Sequence, residues 1–451
     1  MQLKVLTLIS VLSFMQLNAR AQEAPIDTLT NRVNIIASDV DVLKRIKITG
    51  YLQPQYQVAD SSGISSFAGG DFASGLNKRF ALRRGRVKFT YDYTGINWVL
   101  QLDATEKGVA VTDAYGKYTE PWMNAFYMQA GIFNRPWGYE IPTSSSVRET
   151  PERARWSQTL FPGERDLGAM IGFQMPKTSK WNFIWAQVAM VNGTGITASD
   201  FDYQKDLIAH IGINKNLMNE KFKLGVGGSY YSGGIRQFTK YVYSMGTNSS
   251  GLKAFVVDSA STNKDAIAAR SYIGADLQLS YSSKLGITTL RGEFIQGKQP
   301  VPGNSNSSSP STVTATSTQS ITVNSSGVPS LTTTSTFPNT YLRNVMGYNF
   351  YFVQNINQIK SGIVLKYDMY DPNTDASGME IGAVDANKKA NNLNKADISY
   401  TTLGVGYILY LNPNVKFIGY YDMVTNESTA LKGWTQDLRD NVWTFRIQYK
   451  F

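Results

Sequence analysis

The chain has 451 residues, length enough for two or three soluble domains. Its composition argues against them: 17% of residues are charged, where about 25% is usual, and Gly (38), Tyr (26) and Phe (21) are abundant. Cysteine is absent, which excludes disulfides and thiolate metal sites. The net charge of +10 favours anionic solutes or lipid phosphates as partners, and with no basic helix or nucleic-acid module beside it, nucleic acid is not expected.

Residues 1–21 carry Lys4, an apolar run from Val5 to Leu17, and Ala19-Arg20-Ala21, the layout of a secretory signal with its small-residue cleavage site. The run is too short to cross a bilayer as a helix, which takes about 20 residues. Cleavage removes Lys4 and Arg20, leaving 42 basic against 34 acidic residues. Within residues 22–45, Ile26, Leu29, Val33, Ile36, Val40 and Leu43 are spaced alternately three and four apart. That spacing predicts either an amphipathic helix packed on its own protein or a short periplasmic coiled coil on the axis of an oligomer.

From Ile46 to Phe451 the period changes from helical to two, the spacing of a β-strand. In "IKITGYLQPQYQV", Ile48, Leu52, Tyr56 and Val58 share one face, and Lys47, Thr49, Gln53, Gln55 and Gln57 the other. Sixteen such strands can be traced, less regular from Gly108 to Tyr118 and from Trp181 to Asn192. Connections such as "YTGIN", "NKNLMNE", "SSKLG" and "LNPN" are tight, whereas the intervening ones are mostly long. Short turns on one rim and long loops on the other predict an all-β transmembrane antiparallel β-barrel over residues 46–451, in the outer membrane of a Gram-negative cell.

Six cations precede the first acid in "NKRFALRRGRVKF". Strand parity places Arg84, Arg86 and Lys88 on the inward face, two residues or roughly 7 Å apart, as a ladder able to pass an anion along a water-filled lumen. Arg79 and Arg83 have the opposite parity, which would suit them to lipopolysaccharide phosphates at an outer rim. The connection from Asn134 to Asp166 is long and holds Arg135, Arg148, Arg153, Arg155 and Arg165 against Glu140, Glu149, Glu152, Glu164 and Asp166. If it folds into the barrel it sets the constriction, and its charges either line the pore or pair to hold the loop.

His210, the only histidine, falls on the inward face. It could serve as general base in a barrel-borne hydrolase, although a polar residue facing water is the ordinary explanation. No residue spacing suggests a cofactor or metal. Asn304 to Thr336 contains 20 Ser or Thr in 33 residues and no charge, so it reads as an outer loop without a core of its own. Asp371 to Asn394 reads likewise, and neither is expected to carry function. In the last strand, "WTFRIQYKF", the odd positions from Trp443 to Phe451 would meet lipid, and Thr444, Arg446, Gln448 and Lys450 the lumen. This strand is expected to close the barrel against the one starting near Ile46, with Phe451 resembling the signal read by outer-membrane insertion machinery. The inward basic set then also includes Lys47, Lys366 and Lys416, partly offset by Asp92, Asp103, Asp276, Asp368 and Asp422, which predicts only mild anion selectivity.

The stretches "RFALRRGRVKF", "AGIFNRPWGYEIPTSSS", "ERARW" and "FPGERDLGAMIGF" resemble the phosphate-selective porin O and P family in its Bacteroidota form. The resemblance is densest between Arg79 and Phe173. It implies a sixteen-stranded, usually trimeric porin without enzymatic activity, in which an arginine ladder and a lysine cluster draw in phosphate. The ladder carries over to Arg84 and Arg86 with Lys88 below them; no dense lysine run in the outer loops matches the cluster. The expected function is passive diffusion of small hydrophilic solutes with an anion preference, and the expected pore-lining residues are Arg84, Arg86, Lys88, Arg135, Arg148, Arg153, Arg155 and Arg446. A barrel-borne hydrolase and a structural or adhesive barrel with a plugged lumen are the alternatives.

Overall fold

The computed structural model describes residues 24–196, 199–303, 305, 316–323 and 329–451; the expected signal segment lies outside them. Helix α1 (Ala24–Lys44) leads into β1 (Ile46–Ala59), β2 (Lys78–Tyr93), β3 (Ile96–Thr105), β4 (Gly108–Thr119) and β5 (Phe126–Asn134). A long connection with the short helix α2 (Arg155–Leu160) precedes β6 (Arg165–Gln174), β7 (Ile184–Val191), β8 (Asp206–Leu217) and β9 (Phe222–Arg236). A hairpin of β10 (Val242–Thr247) and β11 (Lys253–Asp258) comes before β12 (Ile267–Ser282) and β13 (Ile287–Pro302). A second hairpin, β14 (Thr316–Val323) and β15 (Pro329–Thr336), precedes β16 (Thr340–Ile356), β17 (Ser361–Asp371), β18 (Tyr400–Asn412), β19 (Val415–Asn426) and β20 (Val442–Lys450).

Setting the two hairpins aside, sixteen antiparallel strands follow one another around a closed barrel. Closure is made by β20 against β1, in register from Tyr51 opposite Lys450 to Ala59 opposite Val442. The backbones of Gly50 and Phe451 exchange two further hydrogen bonds of 3.0 Å. None of the sixteen barrel strands is left with an open edge, which hydrocarbon requires because it offers no partner to a free N–H or C=O. No described helix is long and apolar enough to cross a membrane. The faces of β20 show the consequence: Thr444, Arg446 and Gln448 are at most 4% exposed, while Trp443, Phe445 and Ile447 are 36–44% exposed on the outer wall.

One rim carries tight turns. Thr94 and Gly95 join β2 to β3 with φ of 41° and 79°, the left-handed pair that a two-residue hairpin demands. Long connections crowd the other rim, except that only Glu106 and Lys107 separate β3 from β4. The Asp371 to Asn394 segment departs from its expected character: Ala376, Ile381 and Leu393 are buried with Ile398 and with Phe255 of β11, forming a small core above the barrel. Five scattered apolar residues achieve this because other loops supply the opposing surface. Within the Ser/Thr-rich segment the described residues pair as the β14–β15 hairpin.

The β1–β2 register corrects the sequence parity. Leu52 lies opposite Gly85 but Pro54 opposite Leu82, so β2 holds one extra residue there. Such a bulge inverts the facing of everything beyond it. Arg79 and Arg83, expected on the outer face, therefore point inward: Arg79 donates to Gln57 Oε1 at 2.9 and 2.7 Å, and Arg83 reaches Glu152 inside the barrel. Neither is placed to serve as an outer-rim ligand for lipopolysaccharide.

Helix α1 has the predicted seam but no cover, since Leu29, Val33, Ile36, Val40 and Leu43 are all exposed.

Because the chain lacks cysteine, single nitroxide labels can be placed without background. A label at Phe445→Cys should be relaxed by lipid-dissolved oxygen at least about fivefold more than one at Thr444→Cys, given that these side chains point to opposite faces. Equal accessibility would contradict the barrel.

Candidate functional site: the loop-filled lumen

The connection between β5 and β6, residues 135–164, folds into the barrel and divides its interior. Its anchor is apolar. Trp137, Ile141, Trp156, Leu160 and Phe161 are buried against inward residues of the wall, among them Met170, Val191, Ile208, Tyr231, Tyr272, Ile295 and Val345. Glycines on two strands make room for the indoles. A Cβ at Gly274 would stand 2.6 Å from the Trp137 ring, and one at Gly347 would stand 2.5 Å from Trp156 Cβ. Trp156 Nε1 also donates to Asn349 Oδ1 at 2.8 Å.

The loop's charged residues meet the wall at defined points. Glu152 receives three arginines: Arg83 (2.9 Å) and Arg84 (2.8 Å) from the β2 bulge, and Arg446 (2.8 Å) from β20. Burial alone would raise the Glu152 carboxyl, but the three guanidinium groups outweigh it and hold it well below the usual carboxylate range. Arg84 also donates to Gln53 (3.2 Å), and Arg446 to Gln55 (3.0 Å) and the Pro151 carbonyl (2.7 Å). Glu149 takes both forks of Arg291 from β13 at 2.8 and 3.0 Å. The loop is thus latched on both sides of the lumen by carboxylates gripping wall arginines.

The remaining expected pore residues divide into paired and unpaired. Arg86 bonds Asp103 (2.9 Å), Arg135 bonds Asp166 (2.9 Å), and Arg165 bonds Asp113 (2.9 Å) and Glu164 (2.7 Å). Arg153 pairs with Glu164 and donates to the carbonyls of Glu140 (2.9 Å) and Thr143 (2.8 Å). Arg155 makes no salt bridge among the described residues; its guanidinium lies over the rings of Tyr400 (3.8 Å) and Phe67 (4.4 Å). All three guanidinium nitrogens of Arg148 are buried without a hydrogen-bond partner among the described residues. Burial, with Arg84 nearby, brings the Arg148 pKa down to about 10, so it remains charged at neutral pH. Arg83, Arg84 and Arg446 converge on one carboxylate, while Arg86 and Arg135 are held separately, so most of the arginines do not form the free ladder that spacing suggests.

Cavities lie on either side of the loop. Toward the long-loop rim, a space of about 450 Å³ is lined by Phe67, Arg155, Tyr400, Trp434, Arg439 and Asp440. Toward the short-turn rim, another of about 340 Å³ is lined by Arg86, Lys88, Arg165 and Lys450, with Asp113 as its one acid. No acid among the described residues pairs with Lys88 or Lys450. His210 faces the lumen as expected, with Nε2 2.9 Å from Asp276 Oδ2. Opposite it in register, the Ser229 hydroxyl accepts the Gly138 N–H at 3.0 Å. Among the described residues no cluster of His, Asp and Glu suits a metal ion.

Sequence reasoning missed Trp137 and Trp156 as anchors and Arg83 and Arg291 as latches. A signal was present in β7, "IWAQVAMV", where Ala189 and Val191 on the inner face are as apolar as Val188 and Met190 outside. The inner face there meets the loop rather than water, which is why alternation weakens.

Residues 62–195 match the sequence profile of the family described as phosphate-selective porin O and P, bearing out the resemblance read from Arg79 to Phe173. Curated protein sequences contain no match. Among solved structures the chain is similar to OprB of Pseudomonas putida, with a TM-score of 0.53 and 9% identity over 92% of this chain and 96% of that one. It is also similar to the outer-membrane channel DcaP of Acinetobacter baumannii, with a TM-score of 0.50 and 9% identity over 90% of this chain and 97% of that one. At such identities the likeness is one of fold.

Glu152→Ala leaves buried Arg84 and Arg446 and half-buried Arg83 facing one another and should cost about 3–5 kcal/mol at the latch. The readout is the temperature at which the heat-modifiable band converts on a gel, which should fall, together with a noisier channel current. A variant as stable and as quiet as the parent would show that the loop is held by its apolar anchor alone.

Proposed function

We propose that this chain is an outer-membrane porin through which small hydrophilic solutes diffuse passively, with a mild preference for anions that extends to phosphate. The observation carrying this reading is the cavity beneath the loop, where Arg86 and Arg165 are already bound to carboxylates but Lys88 and Lys450 have no acidic partner among the described residues. Unneutralised cations along an aqueous path raise the local concentration of anions and lower their barrier to passage. Arg148 adds a fixed charge at the latch. Preference stays mild because most other lumenal cations are bound to carboxylates, as Lys366 is to Asp368 (3.0 Å). A bound guanidinium contributes little net field.

The rest of the assignment follows from this reading. The outer wall contacts the lipids of a Gram-negative outer membrane, and β20 with Phe451 is the strand presented to the insertion machinery. We also propose a homotrimer, with three copies of α1 burying their seams against one another below the short-turn rim. That arrangement removes from water apolar side chains that the single chain leaves exposed.

In a planar bilayer under a tenfold KCl gradient, the reversal potential should lie on the anion side, and Lys88→Glu with Lys450→Glu should shift it toward zero or beyond. A cation-selective parent would overturn the charge argument, and a barrel that neither conducts nor lets liposomes swell would favour the plugged alternative. Burial, reinforced by Asp437 and opposed by Arg155, pushes the Asp440 carboxyl up to about 6 at the long-loop mouth. As pH falls through that value the site loses a negative charge, so anion preference should rise below pH 6. His210→Ala should leave conductance unchanged, whereas a hydrolase built on it would lose its activity. Cysteines at Val33, oxidised in intact membranes, should link neighbouring chains, and Val33→Asp with Val40→Asp should reduce the high-running unboiled species.

A further inference from the structure

Further round the wall from the basic cavity, which it meets at Pro142, the lining has a different chemistry. A cavity of about 310 Å³ lies under the loop, lined by Trp185 and Gln187 of β7, His210 and Asn214 of β8, Gln278 of β12 and Tyr139 of the loop, with Gln174 at its edge. None of its lining residues is Lys, Arg, Asp or Glu. The volume is at the small end of the ~300–1,000 Å³ typical of small-molecule sites.

Trp185 lies flat on the barrel wall because its register partner on β8 is Gly212. A Cβ there would stand 2.6 Å from the indole Cζ2. The ring has two further neighbours: the His210 imidazole stands perpendicular to it, with centroids 4.4 Å apart and planes at 85°, and with the Asn214 amide turned end for end its oxygen accepts from the indole Nε1 at 3.1 Å. The indole packs over Gly212 and lines the cavity.

Around this platform each amide is tethered by its nitrogen. Gln187 Nε2 donates to the Tyr127 hydroxyl (2.7 Å), Gln278 Nε2 to Asp276 Oδ1 (3.2 Å), and Gln174 Nε2 to the Asn182 carbonyl (2.9 Å). Their side-chain oxygens have no donor among the described residues, which leaves three oriented, uncharged acceptors beside an aromatic face.

We infer that this wall is a subsite for a neutral pyranose sugar. A pyranose ring has an apolar C–H face that stacks on an indole, and equatorial hydroxyls at its rim that donate to carbonyl oxygens. An anion gains nothing from three acceptors. A cation would find Asp276, the acid beside the lining amides, already engaged by His210 and Gln278. The subsite rests on solute reaching the lumen, as in the porin reading, and adds a second solute class on a neighbouring stretch of wall.

Equilibrium dialysis of the full chain in detergent, with glucose as probe and acyclic mannitol as control, tests it. Glucose should bind saturably and mannitol about tenfold or more weakly, because only the ring offers a flat face. Trp185→Ala should lose about tenfold in glucose affinity, and Trp185→Phe should keep it within about threefold. Should Trp185→Ala fail to fold, judged by heat modifiability, Gln187→Ala provides the second variant, with an expected loss of about fivefold. Equal binding of mannitol, unchanged affinity in the variants, or tighter binding of tetramethylammonium than of glucose would overturn the subsite. Conductance of the same preparations separates the two readings: a channel that passes KCl but ignores glucose sinks the subsite alone, whereas sugar binding without conduction sinks the porin alone.

Discussion

Unpaired backbone groups are costly in hydrocarbon, and the architecture follows from that cost. Each N–H and C=O facing lipid needs a partner on a neighbouring strand, so the sheet has to close, and it closes through β20 and β1. Once closed, period-two alternation sorts side chains into a lipid set and an interior set with no further instruction. The tight turns add only the left-handed φ values needed to reverse direction within two residues.

Closure also creates an interior wide enough to need filling. The inward-folded loop fills it with two materials: an aromatic core seated on wall glycines, and carboxylates that clamp wall arginines. Buried charges of one sign would repel, so Glu149 and Glu152 are placed where Arg291, Arg83, Arg84 and Arg446 converge. The β2 bulge supplies two of these arginines to one carboxylate, which an unbroken strand could not do because adjacent residues face opposite sides.

Between loop and short-turn rim the lumen has two unlike walls. One bears two lysines without acidic partners among the described residues, and the other bears an indole and tethered amides, with its one nearby carboxylate, Asp276, engaged by His210 and Gln278.

The fold was largely legible in the order of residues: the strand rhythm, the asymmetry of turn lengths, the closing strand from Trp443 to Phe451 and the inward set on β1 all follow from period two and the needs of the backbone, which are local rules. The site was legible only in part. Arg84, Arg86 and His210 could be assigned to the lumen, but not their partners, because an ion pair such as Arg446 with Glu152 joins residues 294 positions apart. Arg79 and Arg83 were assigned outward because a one-residue bulge leaves no mark in a single strand's pattern; it exists only in register with β1. The sequence alone thus determined which side chains a closed sheet must hide from lipid. Which cations stay free, which glycines seat an indole, and where the lumen turns from basic to neutral were decided by the loop packing against distant strands, since charge and shape complementarity are properties of surfaces that meet only after folding.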